Sequence, residues 1–158
     1  MKATTKEFMS KAIKESEHSL SHNHGGPFGA VIVKDNKVIS QAHNSVLKKK
    51  DPTAHAEMEA IRKACKNLKS HSLEGCEIYT SCEPCPMCLG AIMWARIDKV
   101  FYATSQEDAK SIDFDDSYFY EQIAKDKKDR DIKFKQVSKK EERKIMKAWA
   151  KKDNKKSY

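Results

Sequence analysis

The sequence predicts an α/β protein whose central mixed sheet is covered by helices on both faces. Two observations carry this prediction. Segments of strand-like and helix-like periodicity alternate along the chain in the order α-β-β-α-β-α-β-(α)-β-α, which requires a sheet flanked by helices. The first two strands are adjacent and joined by a short polar turn, so that pair is antiparallel, whereas the later strands are separated by helices.

Residues 4–20, TTKEFMSKAIKESEHSL, read as an amphipathic helix with Phe8, Ala12, Ile13 and Ser16 near one face. HNHGGPFG follows as a glycine- and proline-rich loop. Ala30–Lys34 and Val38–His43 form a hairpin about the turn Asp35-Asn36-Lys37. After the Asp51-Pro52-Thr53 turn, 54–68 is a helix with Met58, Ile61, Cys65 and Leu68 on one face. Residues 76–81 are a strand, 86–96 a mostly apolar and therefore buried helix, and 98–104 another apolar strand. The alternation in DIKFKQV predicts a weaker strand over 131–137. The closing helix, 138–152, carries a Ser138/Glu141 capping box.

The chain has 158 residues, suited to one domain, and no linker long enough to divide it. With 39% apolar and 34% charged residues it can bury a core beneath a heavily charged surface. The net charge of +8 raises the question of nucleic acid. Its excess lies in LKKKD (47–51) and from Lys139 to Lys156, segments without interleaved aromatics apart from Trp149, so most of it reads as solvated surface. The N-terminal stretch has charges throughout and lacks the apolar core of a secretory signal, and no apolar run is long enough to span a membrane. Together with an odd count of five cysteines, three of them clustered, this predicts a reducing cytoplasm and metal or redox chemistry rather than disulfides.

The chemistry concentrates in two stretches, DPTAHAE and TSCEPCPMC. Cys85 and Cys88 stand three apart at the start of the apolar helix, where their side chains share a face and the helix dipole favours thiolate. His55 opens the helix after the hairpin. One imidazole and two thiolates suit Zn²⁺, and three protein ligands leave the fourth tetrahedral position open, as catalytic rather than structural zinc sites do. A metal-activated water needs a proton acceptor, and Glu57, beside the histidine and not needed as a ligand, is the candidate. The pattern His55-Ala56-Glu57 with Pro84-Cys85-Pro86-Met87-Cys88 is the H-x-E…P-C-x-x-C signature of zinc deaminases. Other readings stand beside it. Cys82 is evenly spaced with Cys85 and Cys88 and could close a four-ligand structural site, though that leaves Glu57 without a role. A redox C-x-x-C lacks a thioredoxin-like order around it. Cys65 and Cys76 read as core, and His18, His22, His24 and His71 as exposed surface.

On these residues the whole chain resembles the cytidine deaminase-like zinc deaminases, and within them the bacterial guanine-deaminating branch. The likeness runs through GGPFGAVIVKD (25–35), DPTAHAE (51–57), AIRKACK (60–66), YTSCEPCPMCLGAI (79–92), WAR (94–96), FDDS (114–117) and KKSY (155–158). It implies a three-layer α/β/α sandwich around a mixed five-stranded sheet. It implies one Zn²⁺ per chain on His55, Cys85 and Cys88, and hydrolysis of guanine to xanthine and ammonia by zinc-activated hydroxide. Glu57 is then the proton shuttle, with Asp116 assisting a second transfer. Asn44, Ala56, Phe28, Trp94, Asp116 and Tyr158 are implied as substrate contacts. It further implies a homodimer of single-domain chains (1–158) that exchange their C-terminal segments, about 138–158, so that Tyr158 of one subunit caps the other's site.

The signature leaves neighbouring functions open: a deaminase of guanosine or of another purine or pteridine, or a tRNA adenosine deaminase. The last must admit an extruded nucleotide, which a capping Tyr158 would obstruct. A non-catalytic zinc-stabilised RNA-binding module belongs to a different class, and Glu57 argues against it. A small purine is therefore the expected partner, with neither membrane nor nucleic acid.

Overall fold

A computed structural model describes residues 4–158 of the protein. The first three residues of the charged N-terminal stretch lie outside this range. The chain divides into two compact units, Met1–Asp116 and Ser117–Tyr158.

The first unit opens with α1, Thr5–Ser21, capped by Thr4, whose hydroxyl accepts from the Glu7 amide while the Glu7 carboxylate accepts from the Thr4 amide. The helix buries Phe8, Ala12 and Ser19. Ile13, expected on the buried face, is 41% exposed. It lies one step off the row that joins Phe8 to Ala12, whereas Ser19, seven residues beyond Ala12, returns to it. The hairpin strands β1, Gly29–Lys34, and β2, Lys37–His43, are joined by Asp35 and Asn36, both at positive φ (49° and 59°), the two-residue geometry that Asp and Asn tolerate best. A short helix α2, Val46–Lys49, precedes α3, Ala56–Leu68. Strand β3, Cys76–Cys82, leads into α4, Pro86–Trp94, then β4, Lys99–Thr104, and α5, Gln106–Lys110.

The strands form one sheet in the order β2-β1-β3-β4. β1 runs antiparallel to both β2 and β3, and β3 is parallel to β4, so the sheet is mixed. Alternation along β1 sets the layers. Ala30 and Ile32 point to one face, where Ile78 joins them against Ala56, Ala60 and Ala64 of α3 and Ile92 of α4. Val31 and Val33 point to the other, where Tyr79 meets Phe8 and Ala12 of α1. The result is the expected helix–sheet–helix sandwich. In α3 the alanines lie deepest and Ile61, Cys65 and Leu68 flank them, partly buried; Cys76 is core. The apolar α4 is not enclosed. It buries Cys88 and Ile92, while Leu89, Met93 and Trp94 are exposed. A helix lying on a sheet can bury only one side, and the other side of an apolar helix stays uncovered.

The second unit contains α6, Ser117–Ala124, a single 3₁₀ turn, Lys127–Asp129, and α7, Lys139–Ala150. The strand expected over 131–137 does not form, and among the described residues the sheet has four strands rather than five. The alternation is present, but a strand needs a ladder partner and this unit contains only helices. Ile132, Phe134 and Val137 are exposed instead. The Ser138/Glu141 capping box is also absent: Ser138 lies in the left-handed region (φ 52°), and its side chain makes no capping bond. No helix among the described residues is long and apolar enough to cross a membrane.

Candidate active site

Two helix starts build the site. His55 is the N-cap of α3 and has extended backbone (φ −66°, ψ 157°); Cys85 is the N-cap of α4 in a similar conformation (φ −67°, ψ 168°), with Pro86 as the first helical residue. Cys88 lies one turn into α4. The cap conformation explains how residues 55 and 57 work together. In a regular helix they would diverge, but His55 stands outside the helical register, and its ring and the Glu57 carboxylate both reach Cys88. His55 Nδ1 lies 3.6 Å from Cys85 Sγ and 3.6 Å from Cys88 Sγ, and Cys88 Sγ lies 3.4 Å from Glu57 Oε2.

The three donor atoms of His55, Cys85 and Cys88 all lie within 4.8 Å of one another. Their spacing fits zinc. A tetrahedral ion with Zn–S near about 2.3 Å and Zn–N near about 2.0–2.1 Å sets an N···S edge of about 3.6 Å, the separation found for both thiols. Cys82, the alternative ligand suggested by even spacing, is outside this group; its Sγ faces the Ser105 carbonyl at 3.5 Å.

The electrostatics match the donor chemistry. The hydrogen bond shared with Cys88, with further help from His55, brings the Cys85 thiol down to about 4. The same shared bond, together with burial, pushes the Cys88 thiol up. The bond to Cys85 raises His55. Glu57 is buried, and its burial pushes the carboxyl above the ordinary carboxylate range. Burial likewise raises Asp116, with the Cys85 thiolate adding to the effect.

These groups open into a cavity of about 260 Å³, at or below the small end of the roughly 300–1,000 Å³ typical of small-molecule sites. His55, Glu57 and Cys85 lie on its wall, as do the expected Phe28, Asn44 and Asp116. Asn44 is buried, and its Oδ1 accepts from the Val46 amide at 3.1 Å, leaving its amide N–H groups for other partners. Two residues expected as substrate contacts stand elsewhere. Ala56, the first residue of α3, is packed in the core, and Trp94, at the exposed end of α4, is not on the cavity wall. Tyr158 belongs to the C-terminal unit and is exposed.

The cavity also shows residues that sequence reasoning did not single out. Phe114 meets Phe28 edge to face, with ring centroids 4.9 Å apart at 87°. Gly25 and Gly26 leave room for this wall: a Cβ on Gly25 would stand 2.0 Å from Asn44 Oδ1, and one on Gly26 2.7 Å from the Phe28 ring. The signal was in the GGPFG loop, where adjacent glycines can mark close approach as well as a turn. Glu83 is on the wall too, its carboxylate accepting from the Gln106 amide at 3.3 Å.

A site with one imidazole and two thiols at metal-ligand spacing, and a buried carboxylate beside them, is that of a zinc hydrolase. Residues 2–104 match the family model of the cytidine and deoxycytidylate deaminase zinc-binding region, and the chain belongs to that family. It is 50% identical to guanine deaminase of Bacillus subtilis over 96% of this chain and 97% of that protein. A crystal structure of guanine deaminase from B. subtilis superposes with a TM-score of 0.95 at 48% identity, covering 99% of each chain. The tRNA-specific adenosine deaminase of Aquifex aeolicus is 48% identical, but over only 61% of this chain and 63% of its own.

Proposed function

We propose that this protein is a zinc-dependent aminohydrolase that converts guanine to xanthine and ammonia. The observation that carries the reading is the buried Glu57 carboxylate beside a three-donor metal set, in a base-sized cavity with an aromatic wall. Likeness to a guanine deaminase over nearly the whole chain supports the substrate, whereas the tRNA-specific relative matches only part of it.

His55, Cys85 and Cys88 would hold one zinc ion per chain, which when bound would supply Lewis acidity and bring ionisation of a water within reach of neutral pH. Glu57 takes the proton of the attacking water on its carboxylate. It delivers that proton to ring N3 as the water oxygen bonds to C2, then takes the proton left on that oxygen and passes it to the amino group, so that the C2–N bond breaks, ammonia departs and a C2 carbonyl remains. Burial, which makes this carboxyl hold a proton more readily than an exposed one, suits it to both halves of the transfer. Asp116, similarly raised, contacts the amino group and assists the second transfer. Asn44 donates its amide N–H groups to purine acceptors, and Phe28 and Phe114 form the wall on which the ring packs.

The purified protein, offered guanine, guanosine, adenine, cytosine, cytidine and tRNA, should release ammonia from guanine in clear preference to the others. Ammonia or inosine formation from tRNA alone would replace this reading with the tRNA one. Asn44 provides a second test. Gly25→Ala places a methyl where Asn44 Oδ1 stands. Displacing a positioning group by about 1 Å can cost on the order of 10²-fold, so kcat/KM for guanine should fall by about that much while zinc content is unchanged. Steady-state kinetics with metal analysis decides it.

The same reading makes the protein a cytoplasmic homodimer that exchanges its C-terminal segments, about 138–158. All five cysteines are free thiols, as suits a reducing compartment. The helices of the C-terminal unit contain no buried residue, and Ile145, Met146 and Trp149 of α7 are exposed, so this unit has no core of its own. A second copy of the chain is the proposed cover, with Tyr158 closing the partner's cavity. Deleting Ser157 and Tyr158 should then lower guanine turnover sharply without loss of zinc, by opening the site to water. Mixing that truncated chain with a full-length Glu57→Gln chain should restore part of the activity, because a heterodimer has one site with Glu57 and an intact tail. No recovery after verified subunit exchange would exclude capping between subunits.

A further inference from the structure

Four histidines, three of them read from the sequence as separate surface residues, converge beside the cavity wall. His18 lies in the last turn of α1, His22 caps that helix, His24 is in the loop beyond it and His43 ends β2. Ligand nitrogens of His18, His24 and His43 lie within 4.8 Å of one another. The His18 and His43 rings stand 4.6 Å apart and those of His24 and His43 5.1 Å apart, while His22 stacks on His18 at 4.0 Å.

The tautomers are arranged for ligation. His43 Nδ1–H donates to Glu15 Oε2 at 2.9 Å, a pair whose side chains are only 16% and 17% exposed. That bond fixes the proton on Nδ1 and turns the Nε2 lone pair inward, as a carboxylate partner does for metal-bound histidines. Nε2 faces His24 Nδ1 at 2.9 Å. A shared proton gives that separation. Two nitrogens at right angles on one ion, each about 2.0–2.1 Å from it, also stand about 2.9 Å apart, so an ion can take the proton's place with little movement of either ring. Burial lowers His18, with His22 next in effect, and lowers His24, with Lys48 next, which favours the neutral, ligating form of both imidazoles.

The backbone that holds these rings is itself pinned. The Ser19 hydroxyl donates to the carbonyls of Gly26 (2.8 Å) and Asn44 (2.9 Å), and the His24 carbonyl accepts from the amides of Leu47 (3.0 Å) and Lys48 (3.1 Å). The elements that supply the rings are thus fixed to one another before any ion arrives, which lowers the ordering cost of binding.

We propose that His18, His24 and His43, with Glu15 orienting His43, form a second metal site for a divalent transition ion of the imidazole-preferring class, separate from the zinc ligands His55, Cys85 and Cys88. Neutral imidazoles suit Ni²⁺, Cu²⁺ and Zn²⁺, and three of them leave positions for water. Because His24 and His43 adjoin Gly25 and Asn44, an ion there braces one wall of the cavity.

The test uses untagged holoenzyme with its zinc in place, titrated with Ni²⁺. Equilibrium dialysis with metal analysis should find a second equivalent per chain with zinc retained, and the melting temperature should rise by a few degrees, as for any ligand held only by the folded state. In His24→Gln and in His43→Gln the second equivalent and the thermal shift should be lost, while His71→Gln keeps both. Should His43→Gln fail to fold, His24→Gln decides, together with paramagnetic broadening by Ni²⁺ of the His18, His24 and His43 ring signals in the unaltered protein. No second equivalent, uptake that survives in the His18→Gln/His24→Gln double variant, or broadening centred on other residues overturns the proposal. None of these readouts depends on deaminase activity.

Discussion

Cys88→Ala should leave the protein without tightly held zinc and without measurable turnover of guanine. Cys88 is fully buried, its Sγ lies 3.6 Å from His55 Nδ1 and 3.4 Å from Glu57 Oε2, and it stands at the start of α4, where the helix dipole favours a thiolate. Removing it leaves two protein donors, too few to hold the ion as tetrahedral sites do. It also separates Glu57 from the metal ligands, since Cys88 is the group both it and His55 reach. Cys85→Ala should behave alike. Cys82→Ala is the informative control. Cys82 is buried and also lines the cavity, so a general disturbance of packing would affect both variants, yet its thiol faces the Ser105 carbonyl and not the donor cluster. Elemental analysis of purified protein should therefore find zinc in Cys82→Ala and none in Cys88→Ala. The reverse result would show that the evenly spaced cysteines bind the metal in a different combination.

How much of this site was legible in the sequence depended on whether local spacing decided the geometry. The donor cluster was legible because Cys85 and Cys88 are one turn apart and because Asp51-Pro52-Thr53 and Pro84/Pro86 place His55 and Cys85 at helix caps, where a side chain is free of the helical register. The sheet was legible where a strand is buried on both faces or joined by a tight turn, as in β1 and the Asp35-Asn36 hairpin. Residues 131–137 show the opposite case: alternation records which side chains could be buried, but pairing is a matter of what lies alongside. The cavity wall was legible only in part. Phe114 and Phe28 are far apart in sequence, and no local period could announce their edge-to-face contact. The histidine cluster was missed for the same reason. His18 and His22 share a helix face, but the half-buried His43 arrives from the end of a strand, and with it the Glu15 bond that fixes its tautomer.

Glu57→Gln should abolish most turnover while leaving zinc and fold in place. The substitution preserves shape and removes only the ability to accept and return a proton. Loss of a general acid–base group typically costs ~10²–10⁴-fold, which is about 3–5 kcal/mol of transition-state stabilisation. The structure gives reasons to expect the fold to tolerate it. Glu57 is 7% exposed and its ionisation is opposed by burial, so a neutral amide of the same size relieves a desolvation cost. The Gln amide can also donate to the Cys88 sulfur where the carboxylate now accepts. The melting temperature should thus be equal to or slightly above that of the unaltered protein, and zinc content should be the same, because the three donors His55, Cys85 and Cys88 are untouched. This combination separates the proposed role from a purely structural one. A carboxylate that merely supported the metal ligands would, on replacement, lower zinc occupancy and stability along with activity. A variant that keeps its zinc, melts no earlier and still deaminates guanine at close to the normal rate would rule out Glu57 as the proton carrier and pass that role to Asp116, the other carboxyl on the cavity wall whose proton affinity is raised by burial.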